Sequence, residues 1–123
     1  MARAVLWQRI EGLVLFAVGL ALFWRYDTTM PWWAGLLVFF VPDISFLGYL
    51  LGPRIGAFVY NSVHIYAFGA VILALGLLLP APLLVLLGVL WLAHSGFDRM
   101  LGYGLKTPEG FSFTHLGQIG KRA

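Results

Sequence analysis

One stretch decides the fold of this chain: residues 82–103 read PLLVLLGVLWLAHSGFDRMLGY. The stretch opens on a proline and continues as an apolar run up to its first ionisable side chain, His94. A helix of roughly 20 apolar residues crosses the hydrocarbon core of a bilayer. The stretch therefore predicts a transmembrane helix that carries ionisable groups towards one end.

The composition of the whole chain agrees with a membrane protein. Its 123 residues are 61% apolar and 11% charged, and the mean hydropathy is +0.90. An ordinary soluble domain has about 25% charged residues, and a chain with so few cannot cover its surface with polar groups. These proportions exclude a soluble globular domain, a disordered chain and a coiled coil.

Three further stretches are long and apolar enough to cross a bilayer. Short proline-containing turns separate the four stretches, and connections this short make neighbouring helices antiparallel. We therefore predict an all-α fold: a four-helix transmembrane bundle over residues 1–103, followed by a short cytoplasmic C-terminal segment over residues 104–123. The predicted spans are residues 5–24, 31–51, 55–79 and 82–103.

Lysine and arginine are distributed unevenly between the two ends of this bundle. The chain has 8 lysine and arginine residues, and all but one of them fall on the side of the bundle that holds both termini. The exception is Arg25, which falls on the opposite side. Positive residues mark the cytoplasmic side, so we expect both termini in the cytoplasm. The net charge of +3 then follows from topology, and no nucleic-acid partner is expected. The chain has no cysteine, which excludes disulfides, thiolate metal sites and cysteine nucleophiles.

Ionisable residues of all four spans fall at one depth. Counted from the cytoplasmic end, they lie roughly 8–14 Å inside the membrane at a rise of 1.5 Å per residue. A charged group facing lipid costs at least about 2.5–3.5 kcal/mol, so these residues are expected to face inward and meet. The group comprises Glu11, Asp43, His64, His94 and Asp98.

Two histidines and three carboxylates, without cysteine, suit a borderline or hard divalent ion such as Zn, Mn, Fe or Mg. The spacing of His94 and Asp98 places both on one helix face. An alternative is a structural hydrogen-bond network, and a third is a proton or ion path. Arg99 is expected to snorkel to the inner headgroups. We predict Asp43, His64, His94 and Asp98 as metal ligands, Glu11 as general base, and Asn61 as a hydrogen-bonding support for the ligands.

Glycines at helical spacing predict close helix packing. Gly12 and Gly19 share one face of the first span, and Gly48, Gly52 and Gly56 recur at every fourth position. Such faces pack helices within one chain or between two copies. The sequence therefore leaves two uses for them, intrachain packing and a homo-oligomer.

The C-terminal segment 104–123 is polar and glycine-rich, yet it contains Phe111 and Phe113. A disordered tail seldom carries such residues. We therefore predict a lid folded against the cytoplasmic mouth of the bundle, from which His115 is an additional candidate ligand.

Distinctive motifs run through the chain: PDISFLGY at residues 42–49, GPRIG at 52–56, YNSVH at 60–64, WLAHSGFDR at 91–99, GYGLK at 102–106 and THLG at 114–117. Together they resemble the small bacterial membrane family called domain of unknown function 4260. The resemblance covers nearly the whole chain. It implies a bacterial inner-membrane protein with four spans, and it implies no particular activity.

A weaker likeness concerns function. The order of Pro42-Asp43, a later His64 and then His94-x-x-x-Asp98 is similar to the membrane-bound metal-dependent hydrolase family. This chain has one histidine in the third helix where that pattern has a pair. The likeness implies hydrolysis of a lipid-like, membrane-partitioned substrate. Three hypotheses therefore stand: a metal-dependent hydrolase, a non-enzymatic membrane protein with a structural polar layer, and a proton- or ion-coupled transporter.

Overall fold

The computed structural model describes residues 2–26, 30–107, 110–114 and 117–118. Within these residues, five α-helices and one 3₁₀ helix precede three short strands. The predicted helical fold class is confirmed. The helices are α1 (Ala2–Tyr26), α2 (Trp32–Phe39), the 3₁₀ helix (Val41–Leu51), α3 (Pro53–His64), α4 (Tyr66–Leu78) and α5 (Pro82–Met100).

Among the described residues, three helical segments are long and apolar enough to cross a membrane: Arg3–Tyr26, Trp32–Leu51 and Pro82–Met100. Helices α3 and α4 make a fourth if they count as one span, which bends by 44° at its break. The second and third predicted spans therefore each contain a break that the hydropathy pattern does not indicate.

The surface of the helices is apolar where that of a soluble protein would be polar. Leu50 and Leu78 are 82% and 77% exposed, whereas His64 and His94 are fully buried. This inverted distribution is the one expected for helices surrounded by hydrocarbon, in which ionisable residues face the bundle interior.

The break between α2 and the 3₁₀ helix follows from Pro42. Proline has no backbone N–H and cannot continue the α-helical bonding pattern. The next residue, Asp43, donates its N–H to the Phe40 carbonyl at 3.0 Å, which is the tighter 3₁₀ pattern. The break therefore places Asp43 in the first turn of the 3₁₀ helix.

The break between α3 and α4 lies at Ile65, whose backbone is extended with φ −80° and ψ 150°. A continuous helix would direct the Phe68 N–H to the His64 carbonyl. In this structure the Phe68 N–H donates to the Ile65 carbonyl at 3.2 Å. The His64 carbonyl is therefore available to a side chain from another helix.

Helix α5 is the most buried helix and packs along α1 and α4. At its crossing with α1, Gly12 faces Gly96 so closely that a methyl group on Gly12 would lie 2.5 Å from the Gly96 carbonyl oxygen. Only glycine allows this approach. Gly19 likewise faces Ala93. The glycine face of α1 is thus used within the chain.

A small antiparallel sheet follows the helices, with strands in the order β1 (Lys106–Thr107), β2 (Gly110–Thr114) and β3 (Gly117–Gln118). These strands were not among the predicted elements, although apolar and polar residues alternate along β2 with the period of a strand. Strands β1 and β2 contact α3. The C-terminal segment is therefore attached to the helix that carries His64.

Candidate metal site

Four predicted ligands come together from three helical elements. Asp43 lies at the start of the 3₁₀ helix, His64 at the end of α3, and both His94 and Asp98 on successive turns of α5. One potential ligand atom of each residue lies within 4.8 Å of the others. We name these four residues the His/Asp cluster, and its composition and spacing allow it to hold a metal ion.

The distances within the His/Asp cluster resemble the edges of a coordination polyhedron. His94 Nε2 lies 3.1 Å from Asp43 Oδ1 and 3.4 Å from Asp98 Oδ2. His64 Nε2 lies 3.4 Å and 3.5 Å from the same two oxygens. Metal–ligand bonds of about 2.0–2.2 Å place tetrahedral ligands about 3.3–3.6 Å apart. The four nitrogen–oxygen separations are therefore close to those expected of ligands around one ion, and all four ligand atoms lie within 4.8 Å of one another.

The hydrogen bond of His64 determines which of its nitrogens faces the carboxylates. Its Nδ1 lies 2.8 Å from the Tyr60 carbonyl oxygen, and a carbonyl only accepts, so Nδ1 carries the proton. In the neutral imidazole, Nε2 then presents a lone pair to both carboxylates. A metal ion or an additional proton is needed between this lone pair and the carboxylates. A histidine whose other ring nitrogen donates to a backbone carbonyl is typical of metal ligands.

His94 is held differently from His64. Its ring makes edge contacts with Phe39 and Phe40, at centroid distances of 5.2 Å and 6.0 Å, and it is fully buried. Its Nδ1 has no hydrogen-bond partner among the described residues. Aromatic packing thus orients this ring, and its Nε2 makes all the contacts with Asp43 and Asp98.

The His/Asp cluster is closed on most sides and open beside Asp43. His64, His94 and Asp98 are buried, whereas the Asp43 side chain is 32% exposed. Asp43 is therefore the member of the cluster whose side chain is most accessible from outside the helices.

Tyr60 supports two members of the cluster. Its ring stacks on the His64 imidazole at a centroid distance of 3.7 Å, and its hydroxyl donates to Asp98 Oδ2 at 3.4 Å. The sequence alone allows Tyr60 to donate to the site but favours an interfacial position for this amphipathic residue. The signal that could have found it is its i, i+4 spacing from His64, which puts both rings on one face of α3.

Arg99 is buried and holds the helix break beside the cluster, so the expectation that it snorkels to the headgroups is wrong. Its Nη2 donates to the His64 carbonyl at 2.8 Å and its Nη1 to the Tyr103 carbonyl at 3.0 Å. The break at Ile65 explains this position, because it frees the carbonyl that the guanidinium binds. Arg99 thereby fixes the backbone of a predicted ligand.

Asn61 was predicted to support the ligands by hydrogen bonding, but its amide binds the backbone of a residue in the C-terminal segment. Both atoms of its amide pair with the Lys106 backbone: Nδ2 donates to the carbonyl at 2.8 Å, and Oδ1 accepts from the N–H at 2.6 Å. The pair holds strand β1 against α3. Asn61 therefore positions the C-terminal segment directly.

The Lys106 side chain extends from this anchor towards the cluster. It is only 5% exposed, and its Nζ lies 5.0 Å from the centre of the Tyr60 ring. Burial lowers the pKa of Lys106 to about 8, and the Asp98 and Asp43 carboxylates oppose that shift. An ammonium group is therefore present beside the two carboxylates at neutral pH.

Glu11 does not join the other four residues among the described parts of the chain. It is exposed on α1 and accepts a hydrogen bond from Gln8 at 3.5 Å. The glycine face of α1 packs on α5, so the side chain of Glu11, which precedes Gly12, points away from α5. His115, the additional candidate ligand, lies outside the described residues.

A wide apolar groove begins next to the cluster. It has a volume of about 760 Å³ and is formed by α1, α2 and α5. Phe39 and Phe40 line the groove and also touch the His94 ring. The rings of Phe39 and Phe40 therefore lie between the apolar groove and the buried imidazole of His94.

Comparison with known proteins places the chain in a family. The model of the family described as Domain of unknown function (DUF4260) matches residues 5–119. The chain belongs to this family, as its motifs predicted. The comparisons with curated proteins and with solved structures gave no match.

Proposed function

We propose that this member of the DUF4260 family is a bacterial inner-membrane protein that binds one divalent metal ion through the His/Asp cluster. The ion is Zn, Mn, Fe or Mg, the divalent ions that imidazole and carboxylate ligands accept. Its four ligands are Asp43, His64, His94 and Asp98.

The observation that carries the proposal is the orientation of the two imidazoles. Each turns Nε2 towards the same pair of carboxylate oxygens, at 3.1–3.5 Å. The Nδ1 proton of His64 is committed to the Tyr60 carbonyl. A single cation between the four atoms would accept a lone pair from each of them, whereas a neutral His64 turns its Nε2 lone pair towards carboxylate oxygens that also only accept.

The number of protein ligands indicates whether the ion has a structural role or keeps positions open for water or substrate. Four protein ligands complete a tetrahedral zinc site, and a complete site is typical of a structural ion. A six-coordinate ion such as Mn²⁺ or Mg²⁺ keeps two positions for water or substrate. The exposed side of Asp43 is where such positions would be reached.

We further propose that the site hydrolyses a membrane-partitioned substrate. A bound divalent ion lowers the pKa of a coordinated water towards neutrality and so supplies the nucleophile. The groove lined by Phe39 and Phe40 offers an apolar chain a place beside the cluster. Glu11 is not part of this proposal, because it is exposed on α1.

The orientation in the membrane is proposed from the uneven distribution of lysine and arginine, which favours cytoplasmic termini. The His/Asp cluster then lies in the cytoplasmic half of the bilayer. The partners expected there are lipids, including a lipid-like substrate.

Metal titration of the detergent-purified protein tests the binding. Wild type is expected to take up one divalent ion per chain, and His94→Ala to lose at least about 100-fold in affinity, since even residues that only support a ligand are worth about 10–100-fold. Ser95→Ala is the matched control, because the Ser95 hydroxyl is buried next to His94 and has no partner among the described residues. Wild type that binds none of the four ions contradicts the proposal.

Hydrolysis is tested with chromogenic long-chain carboxylic and phosphoric esters in micelles. Metal-dependent product release by wild type and Ser95→Ala, but not by His94→Ala, is the expected result. Stoichiometric metal without hydrolysis would assign the ion a structural role. That second function has its own support, because the cluster joins the 3₁₀ helix, α3 and α5 through the contacts of Asp43 and Asp98.

A further inference from the structure

We propose that the 3₁₀ helix and α3 move together as a gate over the His/Asp cluster, and that a metal ion bound to the cluster holds this gate closed. We name residues 41–64, which form these two helices and the turn between them, the ligand hairpin. The inference rests on the proposed metal site and describes how that site is regulated.

The ligand hairpin is held together by its own packing. A methyl group on Gly48 would lie 3.0 Å from the Cβ atom of Val59. The Phe46 ring stacks on the Tyr60 ring at a centroid distance of 5.4 Å. Both contacts join the 3₁₀ helix to α3. Two helices that pack on each other in this way can move as one body about hinges at their ends.

The ligand hairpin is packed much less closely against the other helices. Helix α5 packs along α1 and α4, whereas in the described part of the chain neither helix of the hairpin packs along α5 to the same extent. A cavity of about 350 Å³ is lined by hairpin residues on one side and by Trp91 of α5 on the other. Side chains that face such a space lack packing partners there, so the hairpin can separate from α5 with little loss of packing.

Two side chains of α5 bind the backbone at the end of the ligand hairpin. Trp91 Nε1 donates to the Val63 carbonyl at 2.7 Å, and Arg99 Nη2 donates to the His64 carbonyl at 2.8 Å. The other end of α3, beside the turn of the hairpin, is turned outward, and Leu50 next to this turn is 82% exposed. The hairpin is therefore fastened to α5 at the level of the cluster.

Both ends of the ligand hairpin combine a helix break with a predicted metal ligand. At one end, Phe40 links α2 to the 3₁₀ helix with φ −94° and ψ 0°, and Asp43 lies in the first turn that follows. At the other end, His64 is followed directly by Ile65, whose backbone is extended. Hinges are usually a few residues at the ends of elements. Because the other two ligands lie on α5, one ion would join both ends of the hairpin to that helix.

A metal ion favours the closed arrangement because this arrangement offers it more ligands. The closed hairpin brings all four ligands together, whereas an open one would leave only His94 and Asp98 in place. Residues that merely support a ligand are worth about 10–100-fold in affinity, so two lost ligands are worth at least about 10⁴-fold. A preference of about 10⁴-fold raises a state from about 1% to about 99% of the population. Ion binding is therefore sufficient to close the gate.

Distances between pairs of spin labels on the detergent-purified protein test the gate. The chain has no cysteine, so labels attach only to cysteines that are introduced. Leu50→Cys in the hairpin and Val14→Cys in α1 form the reporting pair. Leu78→Cys in α4 and Val14→Cys form the control pair, since α1 and α4 both pack on α5. All three positions are exposed. Zn²⁺ is the ion added, because it is diamagnetic and suits imidazole ligands.

We expect the reporting pair to show more than one distance population without Zn²⁺ and a single population at saturating Zn²⁺. The control pair should show the same distances in both conditions. His94→Ala removes a ligand, so its reporting pair should keep the additional populations when Zn²⁺ is added. Trp91→Phe removes the hydrogen bond to the Val63 carbonyl. This variant should increase the open population without Zn²⁺ and still close when Zn²⁺ is bound.

The outcomes separate the gate from the proposed function. Reporting distances that are the same with and without bound Zn²⁺ overturn the gate and leave the metal site intact. A change that appears equally in the control pair also overturns the gate, because the whole bundle would then respond to the ion. Failure of wild type to bind any of the four proposed ions overturns both proposals.

Discussion

At the scale of single residues, the hydrogen bonds of two side chains prepare His64 for its role. The Tyr60 carbonyl accepts the Nδ1 proton, and Arg99 binds the carbonyl of His64 itself. The first contact selects the tautomer and the second fixes the backbone. His64 is therefore restrained at both ends before any ion binds, which reduces the ordering needed for binding.

Replacing Arg99 by methionine should lower stability more than metal affinity. The variant leaves the buried His64 carbonyl without its partner, which costs about 1–3 kcal/mol. Thermal unfolding in detergent, with Arg54→Met for comparison, measures the effect. An unfolding temperature equal to that of wild type would show that another group takes over the carbonyl.

Sequence reasoning found the residues of the His/Asp cluster because ionisable side chains inside the membrane are costly and must meet. It could not find Arg99 or Lys106 as cluster neighbours. The position of Arg99 depends on a helix break, and that of Lys106 on strand β1. Glu11 was wrongly expected to join the cluster, since the depth of a residue along a helix does not specify which way its side chain points.

At the scale of elements, two interruptions position the polar residues. Pro42 accounts for the first and is the signal from which it could have been predicted, although residues 31–51 were predicted as one continuous span. The second, at Ile65, carries no proline or glycine, and so the sequence predicted one continuous span there. A tertiary contact explains this break better than the helix propensity of the local residues does. Arg99 donates to the His64 carbonyl and so replaces the helical hydrogen bond that is lost there.

The crossing of α1 and α5 should not tolerate a methyl group. In Gly12→Ala the new Cβ would lie 2.5 Å from the Gly96 carbonyl oxygen, so the helices must separate. Such overpacking typically costs about 1–3 kcal/mol. Thermal unfolding of Gly12→Ala is compared with that of Ala17→Leu, which adds volume on an exposed part of α1. Equal stability of the two variants would contradict the crossing.

The attachment of β1 to α3 depends on Asn61. Asn61→Ala removes both hydrogen bonds to the Lys106 backbone, and trypsin should then cleave after Lys106 faster. Ser62→Ala is the control, since the Ser62 hydroxyl donates within its own helix, to the Phe58 carbonyl at 2.7 Å. Equal cleavage rates in the two variants would contradict this attachment.

At the scale of the whole molecule, apolar side chains cover the helices and polar side chains meet inside them. With four spans, the distribution of lysine and arginine predicts that both termini lie in the cytoplasm. Reporter fusions at the two ends measure this directly. A periplasmic signal from one end alone would contradict the four-span topology and would make the bend between α3 and α4 a re-entrant segment. Periplasmic signals from both ends would contradict the predicted orientation.

The central claim is that Asp43, His64, His94 and Asp98 bind one metal ion, and X-ray absorption at the metal edge of the loaded protein tests it most directly. We predict a nearest shell of nitrogen and oxygen atoms only, at about 2.0–2.2 Å, with the outer scattering of two imidazoles. His94→Ala should lose one imidazole or the ion itself. A loaded protein without imidazole scattering would contradict the claim.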